Sequence, residues 1–132
     1  MSNPASVPVH PATILVVEDD ELQRLLLVDM LRGRGLTVVE AASAQEALKQ
    51  LDFNTDIQLI FTDIQLSGEI DGLDLLRVVN VRWPHVSMLS TSGQIRPHFG
   101  EMPINARFLP KPFLLCEVVR YLDELLGIEP NP

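Results

Sequence analysis

Acids, hydroxyls and one ammonium stand directly after short apolar runs in this sequence. Glu18-Asp19-Asp20 follow Ile14-Leu15-Val16-Val17, and Asp63 follows Ile57-Gln58-Leu59-Ile60-Phe61-Thr62. Thr91-Ser92-Gly93 follow the stretch from Val86 to Ser90, and Lys111, between two prolines, follows Ala106-Arg107-Phe108-Leu109. The first run has the length and composition of a strand buried on both faces, and the others read as short strands. If the runs are parallel neighbours, the groups that follow them gather on one edge of the sheet. Clustered carboxylates repel one another and hold protons or a cation to relieve it. Hard oxygen ligands suit Mg²⁺, which accepts a phosphate as partner. An aspartate held there can attack phosphorus and become an aspartyl phosphate. A cation, a lysine and a hydroxyl would balance the charge that arrives.

The elements that must position these groups alternate. After the first run, Leu22 to Leu31 reads as a helix closed by Gly33 and Gly35. Its core stripe is expected at Leu22, Leu26, Leu27, Met30 and Leu31, which leaves Leu25 and Val28 on the surface. Leu36 to Glu40 is a second strand. Ser43-Ala44-Gln45-Glu46 matches a capping box, and Ala44, Ala47, Leu48 and Leu51 give the following helix its apolar face. Asp71 is placed to cap a third helix that runs to about Arg82 and stops at Trp83-Pro84. Pro97, Gly100 and Pro103 leave residues 94–105 room for about one helical turn. The last helix carries Leu115, Val118, Val119, Leu122, Leu125 and Leu126 and ends at Gly127. Strand and helix thus alternate five times, with the fourth helix short or irregular. That pattern predicts an α/β fold with a parallel sheet covered on both faces.

Composition narrows the function. The chain has 132 residues, 46% of them hydrophobic, which suits one soluble domain. Its formal net charge of −8 gives no general attraction to nucleic acid or anionic lipid, so direct nucleic-acid binding and membrane association are not expected. A single cysteine, Cys116, excludes an internal disulfide and a cysteine-built zinc site. No run approaches the ~20 apolar residues of a membrane span, and the proline-bearing start is not a signal peptide. The expectation is a cytoplasmic domain over residues 13–127, with a disordered tail at 1–12 and a frayed one at 128–132.

Five pieces of sequence, in this order and spacing, resemble the receiver domains of two-component response regulators. They are Val16-Val17-Glu18-Asp19-Asp20, Asp63-Ile64-Gln65-Leu66-Ser67-Gly68, Asp71-Gly72, Thr91-Ser92-Gly93 and Lys111-Pro112-Phe113. The resemblance implies a flavodoxin-like (βα)5 fold, doubly wound, with a five-stranded parallel sheet in the order 2-1-3-4-5. It implies that Asp63 is the phosphoacceptor. Asp19 would ligate Mg²⁺ (or Mn²⁺) directly, Glu18 through its acidic side chain or a bound water, and Gln65 through its backbone carbonyl. Thr91 would bond the phosphoryl group, Lys111 would pair with it, and Phe108 would be the aromatic switch side chain. The donor would be a sensor histidine kinase or a histidine phosphotransfer protein, commonly docking near the first helix. The signal would pass to a separate protein partner, because a chain of this length leaves no space for an attached output module. A homodimer is compatible with the family.

The sequence also departs from the family pattern. Ser67 stands where most members have proline, four residues after the acceptor, and the loop from Asp63 to Gly72 is one residue longer than usual. Phe108 replaces the usual tyrosine and brings no hydroxyl. Two other readings compete. An aspartate-nucleophile phosphohydrolase would need an acid two residues after the nucleophile, where this chain has Gln65. A degenerate receiver used only for dimerisation or scaffolding would not need all of these positions filled. Asp20 is read as a helix cap, Cys116 as a small helix residue, and the scattered His10, His85 and His98 as non-ligands.

Overall fold

The computed structural model describes residues 12–98 and 100–127; the expected tails lie outside the described residues, Ala12 excepted. The chain runs β1 (Thr13–Val17), α1 (Glu21–Gly33), β2 (Thr37–Ala41), α2 (Ala44–Phe53), β3 (Ile57–Asp63), α3 (Gly72–Arg82), β4 (Ser87–Ser92), β5 (Arg107–Pro110) and α4 (Leu115–Leu126). All pairings are parallel and the sheet order is β2-β1-β3-β4-β5, as expected from the sequence. The direction of strand order reverses between β1 and β3, which places a crevice at their C-terminal ends.

Side chains alternate across each strand, so one strand feeds two cores. Leu15 and Val17 of β1 join Ala44, Ala47 and Leu51 of α2 and Leu75, Leu76 and Val79 of α3. Ile14 and Val16 face the other way, onto Val28 and Leu31 of α1 and Val118 and Leu122 of α4. Every residue of β1 is buried. Each fully buried leucine or isoleucine here contributes roughly 1.5–3 kcal/mol. The helix starts are tied by side chains: Asp20 accepts from the N–H of Gln23, Ser43 from Glu46 and Asp71 from Asp74. Gly127 ends α4 in the left-handed region at φ 70°.

One expectation changes. The apolar stripe of α1 is rotated: Val28 is fully buried, whereas Leu22 and Leu26 are 64% and 61% exposed. Arg24, Leu27, Val28 and Leu31 form the inward i, i+3, i+4, i+7 series. A charged residue leads it because the Arg24 guanidinium caps the sheet rim, donating to the Glu18 carbonyl at 2.8 Å and to Glu40 at 3.3 Å. Leu25 is exposed, as read from the sequence. Between β4 and β5, where a short or irregular segment was expected, the described residues form bends and turns and no helix. Its prolines remove donors that a helix would require.

Candidate functional site

The site is built where β1, β3, β4 and β5 end. The Glu18 N–H extends the β1–β2 ladder to the Ala41 carbonyl at 3.1 Å, which fixes the acid just past the strand. On β3, Asp63 is the last residue and pairs in register with Thr91 of β4. The Lys111 N–H bonds the Ser92 carbonyl at 3.0 Å, so the lysine leaves β5 toward the same rim.

Lys111 is the centre of the geometry. Its ammonium donates to Asp63 Oδ2 at 2.7 Å, to Glu18 Oε1 at 2.9 Å and to Gln23 Oε1 at 2.6 Å. Its three N–H groups therefore each have an acceptor. Asp63 Oδ1 accepts from the Gln65 N–H at 2.8 Å. Glu18 and Asp63 are 5% and 7% exposed, so both carboxylates sit out of bulk water around one cation. Burial pushes the Glu18 pKa up against the pull of Lys111, and the neighbouring charge of Asp63 adds to the rise. Burial works to lower the pKa of Lys111, but the bonds to Asp63 and Glu18 outweigh it and hold it above the ordinary value. Asp19 is near the surface. Its slight burial acts upward, and the N–H and hydroxyl of Ser67 outweigh it, so its pKa is lowered. The Ser67 N–H lies 3.0 Å from Asp19 Oδ2.

Thr91 completes the rim. It is 3% exposed, and its hydroxyl is the one buried side-chain polar atom left without a hydrogen-bond partner among the described residues. Such a group costs about 1–3 kcal/mol, which a ligand oxygen can recover. Thr91, Asp63, Glu18 and Lys111 share one cavity of about 500 Å³. Leu26, Leu27, Met30, Phe61 and Phe113 line its apolar side. The Phe61 and Phe113 rings stand 5.9 Å apart and tilted.

Glu18, Asp63, Thr91 and Lys111 are thus brought together, as their places after the apolar runs require. Asp19 stands at the edge, tied to the β3–α3 loop, and the backbone of Gln65 lies beside Asp63. Phe108 pairs with Ser90 in β5, is half-buried and does not line the cavity. Gln23 was not legible as a site residue, and Gly72, although part of the Asp71-Gly72 motif, was given no role. Gln23 sits in the first turn after the Asp20 cap, which carries a side chain back over the rim; that spacing was the available signal. A side chain on Gly72 would overlap the Asp63 carbonyl oxygen, so α3 packs against the strand end only because that residue is glycine.

Hard oxygen donors and a buried pair of acids already gathered around an ammonium fit a divalent cation in kind. Among the described residues, however, no three acidic side chains stand in a cation-holding arrangement. Lys111 spans two of them and Ser67 holds the third.

The architecture defines a doubly wound α/β protein, and the rim lies at its topological switch point, where such folds bind ligands. The family described as response regulator receiver domain matches residues 14–122. The Sensor kinase CckA of Brucella abortus is 35% identical over 119 residues, covering 87% of this chain and 12% of that protein. The Transcriptional regulatory protein FixJ of Azorhizobium caulinodans is 33% identical over 132 residues, covering 94% of this chain and 57% of that one. The chain therefore spans a fraction of the length of these relatives. Among solved structures, a response regulator receiver protein from Sinorhizobium medicae superposes with a TM-score of 0.83 at 23% identity, covering 91% of this chain and 98% of that one. One from Pseudomonas putida gives 0.78 at 27% identity, covering 89% and 99%. The chain belongs to the response regulator receiver domain family of two-component systems.

Proposed function

We propose that Asp63 accepts a phosphoryl group from a histidine kinase or histidine phosphotransfer protein in the cytoplasm, and that the modified domain signals to a protein partner. One observation carries this reading. A buried hydroxyl with no partner, on Thr91, shares a cavity with a buried carboxylate that an ammonium already holds.

The residues divide the work as follows. An Asp63 carboxylate oxygen attacks phosphorus; the O–P bond forms as the P–N bond to the donor imidazole breaks, and the imidazole leaves with the electron pair. Lys111 exchanges its bond to Asp63 for one to an incoming phosphoryl oxygen. The Thr91 hydroxyl donates to another such oxygen and gains the partner it lacks. Glu18, Asp19, Asp63 and the backbone carbonyl of Gln65 would hold Mg²⁺ (or Mn²⁺), which supplies charge neutralisation to the phosphoryl oxygens. The shift of Thr91, with Phe108 in the neighbouring strand, biases the β4–β5 face toward its partner. A donor contact on α1 is supported by the exposed Leu22, Leu25 and Leu26, and by Leu114 and Leu115 at the start of α4.

The test is intact-mass spectrometry after incubation with acetyl phosphate and Mg²⁺. The expected result is a gain of about 80 Da, one phosphoryl group, that Asp63→Asn abolishes. No gain, or a gain that survives Asp63→Asn, overturns the reading.

A further inference from the structure

The β3–α3 loop makes one hydrogen bond to the acid that follows β1, which the proposed phosphotransfer does not use. The loop is closed at its base, where the Gly72 N–H donates to the Ile64 carbonyl at 2.8 Å. Its far end, Ser67 to Glu69, is exposed, and Gly68 turns there at φ 111°. Among the described residues, one backbone N–H of residues 66–70 bonds another part of the fold: Ser67 N–H to Asp19 Oδ2, at 3.0 Å, across 48 residues of sequence. That bond ties the loop to the acid that follows β1.

We propose that the Ser67 amide is a latch on Asp19, competing with a divalent cation for its carboxylate. The inference rests on the reading of this rim as a cation site. Two arrangements at the rim support competition. Glu18 and Asp63 already converge on one positive centre, the Lys111 ammonium. Asp19 is not part of that convergence, and no three acids meet among the described residues. An octahedral cation demands close, directed oxygens, and an Asp19 carboxylate that turns to meet one weakens the bond its Oδ2 accepts from Ser67. The latch needs a backbone N–H. Serine supplies one and proline cannot. The identity of residue 67 therefore sets how tightly the rim takes a cation, without itself being a ligand.

The test is Mg²⁺ titration of the full chain by isothermal calorimetry, on wild type, Ser67→Ala and Ser67→Pro. Ser67→Ala keeps the N–H and loses only the hydroxyl, and is expected to bind with an affinity between those of wild type and Ser67→Pro. Ser67→Pro is expected to bind roughly five-fold more tightly, the scale of one exposed hydrogen bond. An unchanged or weaker affinity in Ser67→Pro overturns the latch, while Mg²⁺ binding itself still supports the site. Absence of Mg²⁺ binding to wild type overturns both. Should Ser67→Pro not fold, the amide proton of Ser67 in wild type decides by NMR. It is expected to move upfield and exchange faster with solvent at saturating Mg²⁺; an unchanged signal overturns the latch.

Discussion

Lys111 donates to Asp63 at 2.7 Å across 48 residues of sequence, joining the end of β5 to the end of β3. The same ammonium reaches Glu18 past β1. One cation thus bridges two buried acids, and the three strand ends are held in a single rim.

Removing that cation should destabilise the resting protein. Lys111→Met keeps the stem and deletes the charge, leaving Glu18 and Asp63 facing each other with no cation between them. A fully buried pair broken this way costs about 3–5 kcal/mol, and the partial exposure of Lys111 reduces the expected loss to about 2 kcal/mol. Urea unfolding in EDTA at neutral pH measures it. A change below about 0.5 kcal/mol would show that the ion pair does not hold the rim together.

Thr91 leads to the opposite expectation. Its hydroxyl has no partner, so Thr91→Val, which keeps the shape and removes the polar atom, should be neutral or stabilising by up to about 1 kcal/mol. The same variant should retain less aspartyl phosphate at steady state, because one phosphoryl oxygen loses its donor. Thermal unfolding and phosphoprotein mass spectrometry check the two halves separately. A clear loss of stability would mean that the hydroxyl has a partner in solution.

Much of this rim could be read from sequence, and the reasons differ by residue. The strand ends were legible because β1 and β3 are continuous apolar runs halted by acid. Once the strands are parallel, Glu18, Asp63, Thr91 and Lys111 have to share an edge. Helix α1 was misread because periodicity counts leucines, and Leu22 and Leu26 are exposed while Arg24 takes the first inward position. Tertiary contacts to the Glu18 carbonyl and Glu40 decide that face, and neither is visible in a local pattern. The tie between Ser67 and Asp19 was out of reach for the same reason: it depends on the path of a loop whose glycine adopts positive φ.

Gly72 offers a steric test of how the rim is set. A methyl group there would overlap the carbonyl oxygen of Asp63 and lie 2.6 Å from Ile64 Cα. Gly72→Ala must therefore push α3 away or bend the end of β3, at a cost of about 1–3 kcal/mol. It should also slow phosphorylation, since Asp63 moves with its backbone. Gly33, at the end of α1, has nothing within 4 Å of an added Cβ. Gly33→Ala should be neutral or stabilising by up to about 1 kcal/mol. Melting temperatures of the two variants, measured side by side, should move in different directions; equal shifts would remove the close approach as the cause.

The acids give stability a pH dependence with two opposed parts. Burial raises Glu18 in the native state. The folded protein then holds that proton more tightly than the unfolded chain, and stability falls as pH rises from about 4.3 through the raised native value. Asp19 is lowered, with its burial outweighed by the bonds from Ser67. Its contribution is present above the unfolded value of about 3.9 and is lost as pH falls through the native one. Lys111 is raised, so its contribution is present below about 10.4, is lost only as pH rises through its native value, and stays constant in acid. Urea unfolding in EDTA, from about pH 2 to 7, should separate the two acids. The stability of wild type minus that of Glu18→Gln is expected to decrease as pH rises above about 4, while wild type minus Asp19→Asn increases as pH rises toward about 4. Parallel curves for wild type and Glu18→Gln would mean that water reaches Glu18 in solution and that burial does not govern its charge.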